Sequence, residues 1–192
     1  MESIGFKEWA LVCEALGRGE QAVILRKGGL AEGRNGFAFQ HREFFLFPTF
    51  FHEQVDRLRV PNAEIPPHSA ADVQIRYFAK IEAAKFLTSW EAVAAMNSLH
   101  ILQPGVVRER FDYEGTEGIN VAFVRVFRLR PAWTFPNDRR FGGCRSWVTL
   151  PSLPSSCTLD PVLTDDEHRQ RFDEFRALTR HSCERLLTES LD

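Results

Sequence analysis

Three groupings of side chains carry the chemistry that this sequence offers. The first runs Arg26-Lys27-Gly28-Gly29, then Glu32, His41-Arg42-Glu43 and His52-Glu53. The two histidines stand eleven apart and flank an aromatic stretch. A strand pair folding back there would bring Lys27, His41 and His52 to one face. Histidine with carboxylate suits a divalent metal or acid–base work, with His41, Glu43 and His52 as the ligand set. The spacing matches no helix-borne pair such as HxxxH, and histidines that hydrogen-bond at strand ends explain the same residues. Gly28-Gly29 behind a basic pair offers backbone N–H groups to an anion. A plain turn also accounts for both glycines, and neither GxxxxGK[ST] nor GxGxxG occurs.

The second grouping is Gly142-Gly143-Cys144-Arg145-Ser146-Trp147. A cysteine beside arginine has the makings of a nucleophile, but no base stands near it in sequence. Core packing of Cys144 and Trp147 is the plainer reading. The third grouping is Arg108, Arg110, Arg125, Arg128 and Arg130, interleaved with Phe111, Tyr113, Phe123 and Phe127. Arginines on strand faces beside exposed aromatics are how small β modules hold single strands, through phosphate contacts and base stacking. Arg125 has opposite parity to Arg128 and Arg130, so one basic face requires an irregularity in the strand. A salt-bridged sheet face over an aromatic core is the alternative. GxSxG and HExxH are absent. Glu82-Ala83-Ala84-Lys85 is one residue too long for a nuclease-type (D/E)xK, which puts carboxylate and lysine on opposite faces of a strand.

Composition narrows the class. The 192 residues are 44% hydrophobic and 26% charged, enough for a core without staples and unlike a disordered or coiled-coil chain. Four cysteines at 13, 144, 157 and 183 form no CxxC pair. The expectation is reduced thiols in a soluble cytoplasmic protein, with no membrane span and no signal segment. Net charge is −2, yet 105–157 carries eight Arg against five Asp/Glu, while 158–192 carries five Arg against nine acids. Twenty of the 24 basic residues are Arg. That suits bidentate phosphate contacts, although a GC-rich codon bias gives the same skew.

The elements that must position these residues follow from local pattern. Phe6, Trp9, Ala10, Cys13 and Leu16 fall at helical spacing, which predicts a helix over 6–17. Ala22–Leu25 reads as a strand leading into turns at 28–29 and 33–36. Phe37, Phe39, Phe44, Phe45 and Phe47 predict a strand pair stopped at Pro48. A short helix fits 51–59, and the Pro-rich 60–71 is the best boundary between two subdomains, 1–60 and 70–192, of one unit. Residues 73–81 alternate as a strand. Ser89 caps a helix over 90–99, Pro104 opens one through Phe111, and 113–118 is a loop. Residues 119–130 form a strand with one irregularity, and 146–150 a short one. Thr164-Asp165-Asp166-Glu167 is a capping box opening a helix to about Leu187. The fold class is α+β: a mixed or antiparallel sheet that curls toward a partly open barrel, with N- and C-terminal helices.

Three stretches together resemble a known family. They are Trp9, Ala15-Leu16 and Ile24–Leu30 with Glu32; then Phe39, His41, Phe44–Thr49 and His52-Glu53-Gln54; then Leu99-His100, Val107, Arg110-Phe111, Val124–Leu129 and Gly143–Val148. They are similar to the DUF1802 family of bacterial proteins over nearly the whole chain. Two departures are Glu53 between His52 and Gln54, and Gln103 where the family has Thr before Pro104. The resemblance implies no activity, but it marks Arg26, Lys27, His41, His52, His100, Arg110 and Cys144–Trp147 as motif positions. A looser similarity is to PUA-like barrels of the ASCH and EVE types, which bind RNA or modified bases.

The leading expectation is therefore a binding module for nucleic acid or a nucleotide-like phosphate. Arg26, Lys27, His41, His52, His100, Arg108, Arg110, Arg125, Arg128 and Arg145 would meet phosphate, and Tyr113 or Trp147 would stack. No cofactor is required. The alternatives are a metal-assisted phosphoester hydrolase built on His41, Glu43 and His52, and a protein–protein adaptor using surface aromatics.

Overall fold

The computed structural model describes residues 3–27, 37–60, 64–115 and 117–180. Its first element corrects the helical reading of 6–17: Ile4–Trp9 is a strand, β1, and the helix α1 spans Ala10–Gly17. The reason is tertiary. β1 has a neighbouring strand on each edge and is buried on both faces, so it shows no alternation that would mark it as a strand. Its residues simply happen to continue the apolar spacing of α1. The start of α1 is capped from a distance, by Gln54, whose Oε1 accepts from Leu11 N at 3.1 Å.

The remaining strands are β2 (Val23–Arg26), β3 (Glu43–Thr49), β4 (Asp72–Leu87), β5 (Ile119–Pro136), β6 (Trp147–Thr149) and β7 (Thr158–Pro161). They form one mixed sheet in the order β2-β5-β4-β3-β1-β6, with β7 also on β5. Only β1 and β3 run parallel. The Pro-rich segment 60–71 thus joins β3 to β4, which are neighbours in that sheet. β3 runs through Pro48, contrary to expectation: β4 pairs only with Glu43–Phe45, which leaves one side open further along. Proline is tolerated at such an edge. Phe37 and Phe39 are buried but belong to no strand. β5 is longer than its alternation, and its pairing with β4 slips twice, between Ile75/Tyr77 and Ile81/Ala83. β7 has no mark in the sequence, because all four of its residues are exposed and carry no pattern.

Three further helices follow. α2 (Trp90–Ala95) starts at Ser89, whose hydroxyl accepts from Ala92 N, and passes into a 3-10 turn, Met96–Leu99. α3 (Pro104–Asp112) begins at its proline. α4 (Asp165–Leu178) opens on the Thr164/Glu167 capping box. A 3-10 turn, His52–Arg57, follows β3. α4 ends at Leu178, with Thr179 as its C-cap, earlier than the expected Leu187; the turns at 28–36, Glu32 and Cys183 lie outside the described residues.

Alternate side chains of β3 feed two cores. Phe44 and Leu46 join Phe6, Phe111 and Phe123 inside the curl of the sheet, while Phe45 and Phe47 join Trp133, Phe135 and Phe141 on its other face. Each such burial is worth about 1.5–3 kcal/mol against exposure. α4 closes the inner core with Phe175, 5.4 Å from the Phe123 ring. The sheet path ends at β2 and at β6 and is not closed. β6 covers β1 as far as Lys7 N, which donates to Ser146 O at 2.8 Å. Beyond that point the Lys7 carbonyl accepts from Arg26 at the end of β2. A guanidinium thus stands where the next ladder hydrogen bond would fall, and a cleft opens beside it.

Candidate functional site

The cleft has a volume of about 290 Å³ and is lined by Trp9, Arg26, Lys27, Arg57, Val106, Glu109, Arg110, Tyr113, Cys144 and Ser146. Trp9 ends β1 and leads into α1, and its backbone N is held by Glu8 Oε1 at 2.9 Å. The Arg110 guanidinium lies 4.7 Å from the Trp9 ring centre, Arg57 5.9 Å, and Phe51 meets the ring edge-on at 5.3 Å. Two cations over an indole are drawn to its negative face. Arg57 sits at the end of the 3-10 turn. Gln103 ties that turn to the start of α3: its N donates to Arg57 O (3.0 Å) and its Nε2 to Asp56 O (2.9 Å). One wall of the cleft is therefore a rigid assembly of two segments some fifty residues apart in sequence.

The charges are unevenly matched. Arg26 stacks on Phe6 at 4.9 Å and pairs with the buried Glu8 at 3.6 Å. Arg57 pairs with Glu109. Arg110, in the last turn of α3, donates to Leu25 O at 2.8 Å but has no carboxylate within ion-pair distance among the described residues. Burial pulls its pKa down to about 10, an effect that Glu8 partly offsets, so it stays charged at neutral pH. A guanidinium with five N–H donors held without a counter-ion carries a desolvation cost that an incoming anion relieves. Lys27 is committed elsewhere. Its Nζ donates to Phe111 O (2.9 Å) and Gly118 O (2.8 Å), fastening the end of β2 to the C-terminal end of α3, where a cation suits the helix dipole.

The lip of the cleft is the 142–146 turn. The nearly buried Lys7 anchors it by donating to Gly142 O and Gly143 O, each at 3.0 Å. Burial, reinforced by Arg145, lowers the Lys7 pKa. Gly143 has φ +77°, which a side chain resists. Cys144 is exposed on this lip, which corrects its assignment to the core. Arg145 is exposed beside it and makes no hydrogen bond or ion pair among the described residues. Tyr113 stands exposed on the rim.

Other sequence-marked residues go elsewhere. Trp147 packs inward on Phe6 (4.8 Å) and Phe44 (5.3 Å), with His41 edge-on at 5.0 Å, so its faces are occupied. His100 is buried, its Nδ1 accepting from Leu102 N at 3.1 Å. Burial, helped by Arg59 and Arg110, lowers its pKa to about 4, which keeps it neutral. Arg108 pairs with Asp112 and covers Trp90 at 4.8 Å. The β5 arginines do not form one basic face: Arg125 pairs with Asp165 on α4, Arg128 donates to Gly17 O at 3.0 Å, and Arg130 pairs with Asp160 on β7 at 2.7 Å.

Glu43 pairs with Lys80 at 2.7 Å at the start of β3, while the exposed His52 lies past its other end, about 20 Å away at strand rise. His41, Glu43 and His52 therefore do not meet. Among the described residues no three His, Cys, Asp or Glu are grouped to hold a metal. Reasoning from sequence missed Trp9, Glu8 and Arg57 as site residues. Trp9 stands out as an apolar position and in the family resemblance but not as a site residue, and Arg57 has no local signal at all.

The fold and the cleft define an α+β protein with an open mixed sheet and a basic, aromatic-floored cleft beside the open end of the ladder. The chain belongs to the DUF1802 family, a domain of unknown function whose family model matches residues 5–174. No curated protein matches it in sequence. Among solved structures it is similar to ASCH from Zymomonas mobilis, at 15% identity and a TM-score of 0.42, covering 90% of this chain and 94% of that one. A serine-to-alanine mutant of the same protein gives 14% identity, a TM-score of 0.42, and coverage of 90% and 95%. No helix of the described residues is long and apolar enough to cross a membrane.

Proposed function

We propose that the cleft binds a phosphate-bearing ligand of nucleotide type, free or as part of single-stranded nucleic acid. The observation that supports this most is Arg110: a cation set over Trp9 and lining the cleft, with no carboxylate within ion-pair distance among the described residues. Phosphate would supply the missing counter-charge through paired N–H donors. The exposed rim residue Tyr113 offers a ring surface for a base, and Trp9 holds the two guanidinium groups in place. β5 is the weaker candidate for this role, because Arg125, Arg128 and Arg130 are committed to structural partners.

The test is a titration of the full chain with short single- and double-stranded oligonucleotides and with a mononucleotide, at low and at physiological salt. Binding should weaken with salt, with a log–log slope of about −0.7 per phosphate engaged on a single strand. Arg57→Ala, which removes an exposed cation from the wall, should weaken it several-fold. No binding at low salt, or binding indifferent to Arg57→Ala and Arg110→Met together, would overturn the proposal.

A further inference from the structure

A larger groove of about 390 Å³ lies on the other side of the β1–α1 junction. Trp9 lines the cleft and the next residue, Ala10, lines this groove. Its volume is in the range of small-molecule sites, and its chemistry is the reverse of the cleft's. Leu46, Pro48, Phe50, Pro66 and Pro67 give it apolar walls. Phe50 and His68 stack in parallel at 3.9 Å and 7°, which makes one wall flat. Two carboxylates, Glu14 and Asp72, and one guanidinium, Arg76, also line it. Arg76 is already committed, donating to Gln74 Oε1 (2.7 Å) and Glu14 Oε1 (3.3 Å), and Glu14 Oε2 accepts from the Tyr77 hydroxyl (3.0 Å). Asp72 is exposed, and among the described residues its carboxylate has no hydrogen-bond or ion-pair partner.

We propose that this groove is a second binding site, for a small organic amine with a flat apolar body. The ring would lie against the prolines and the Phe50–His68 pair, and the ammonium would meet Asp72. The net negative charge of the lining disfavours the phosphate ligands proposed for the cleft, so the two sites would not compete.

Tryptamine, indole and indole-3-acetate test this, since they share one ring and differ in charge. Binding to the full chain is measured by calorimetry. Tryptamine should bind at least about fivefold tighter than indole-3-acetate, the size expected for one charge contact near the surface. Asp72→Asn should remove most of that difference. Ser69→Trp, which fills the groove, should abolish tryptamine binding, while Arg57→Ala should leave it unchanged. Thermal unfolding confirms that each variant is folded. No tryptamine binding, equal affinity for amine and acid, or binding that survives Ser69→Trp would each overturn the proposal.

Discussion

The arginines of the cleft and those of β5 are one residue type put to two uses. Arg125, Arg128 and Arg130 each reach a fixed partner on another element, namely Asp165, Gly17 O and Asp160. They fasten α4, α1 and β7 to the longest strand. In the cleft, Arg26 and Arg57 each have a carboxylate, but Arg110 has a single backbone acceptor and an aromatic face. What separates Arg110 from the β5 arginines is its surroundings: Arg125 and Arg130 have acids and Arg128 is exposed to water, whereas Arg110 is half-buried with no acid within ion-pair distance among the described residues. Arginine spacing marked β5 as the binding face, whereas the half-buried cation without an acid is Arg110 on α3. Removing a β5 arginine should therefore cost anchoring and spare binding, and removing Arg110 should do the reverse.

The largest expected effect is a dependence on pH. His100 has a folded-state pKa of about 4 against an ordinary 6.5, first because it is buried and then because Arg59 and Arg110 are close. Between those values the unfolded chain takes up a proton that the folded chain refuses. Stability is thus fully present above pH 6.5 and is lost as pH falls toward 4, by about 3 kcal/mol from this group. Denaturant titrations across that range should show the loss. His100→Asn, whose Oδ1 can take the place of Nδ1 toward Leu102 N, should flatten it. Arg110→Met should also reduce it by easing the charge on His100, linking the cleft cation to a buried neighbour. On the structural side, a Cβ at Gly17 would fall 2.0 Å from Tyr77 Cζ, directly beneath the ring that Arg128 covers. Gly17→Ala should cost about 2 kcal/mol, a fall of several degrees in melting temperature, and leave cleft binding intact in the folded protein.

What was legible in the sequence was local. Ser89, Pro104 and the Thr164–Glu167 box each specify a helix start within four residues, and all three appear where expected. β4 alternates along its first half and is a strand. The failures are tertiary. Whether 4–9 is strand or helix is decided by partners at 43–49 and 147–149. Pro48 could sit inside β3 only because β4 had already left its side. The cleft was legible in pieces: Arg26, Lys27, Arg110 and Tyr113 were marked, but Trp9 and Arg57 were not. Trp9 is brought into place by α1, whose start Gln54 caps, and Arg57 by Gln103. Those are hydrogen bonds between segments far apart in sequence, with no trace in spacing.

Two smaller effects sharpen the contrast among arginines. Arg110→Met should weaken oligonucleotide binding by about tenfold or more, as expected for a central cation in a pocket. Its melting temperature should hold or rise, because a poorly compensated charge has been exchanged for an apolar chain of similar length. A large fall in melting temperature would mean that Arg110 is as structural as Arg128. The smallest effect is expected for Arg125→Ala. Its carboxylate partner Asp165 is exposed, and the Arg125 guanidinium holds the Asp165 pKa below its ordinary value. Such surface pairs contribute little, so melting should shift by no more than about 2 °C. Oligonucleotide affinity at physiological salt should equal that of the unmodified chain. If affinity instead falls as far as in Arg110→Met, phosphate runs along β5 as well, and the division between anchoring and binding arginines fails.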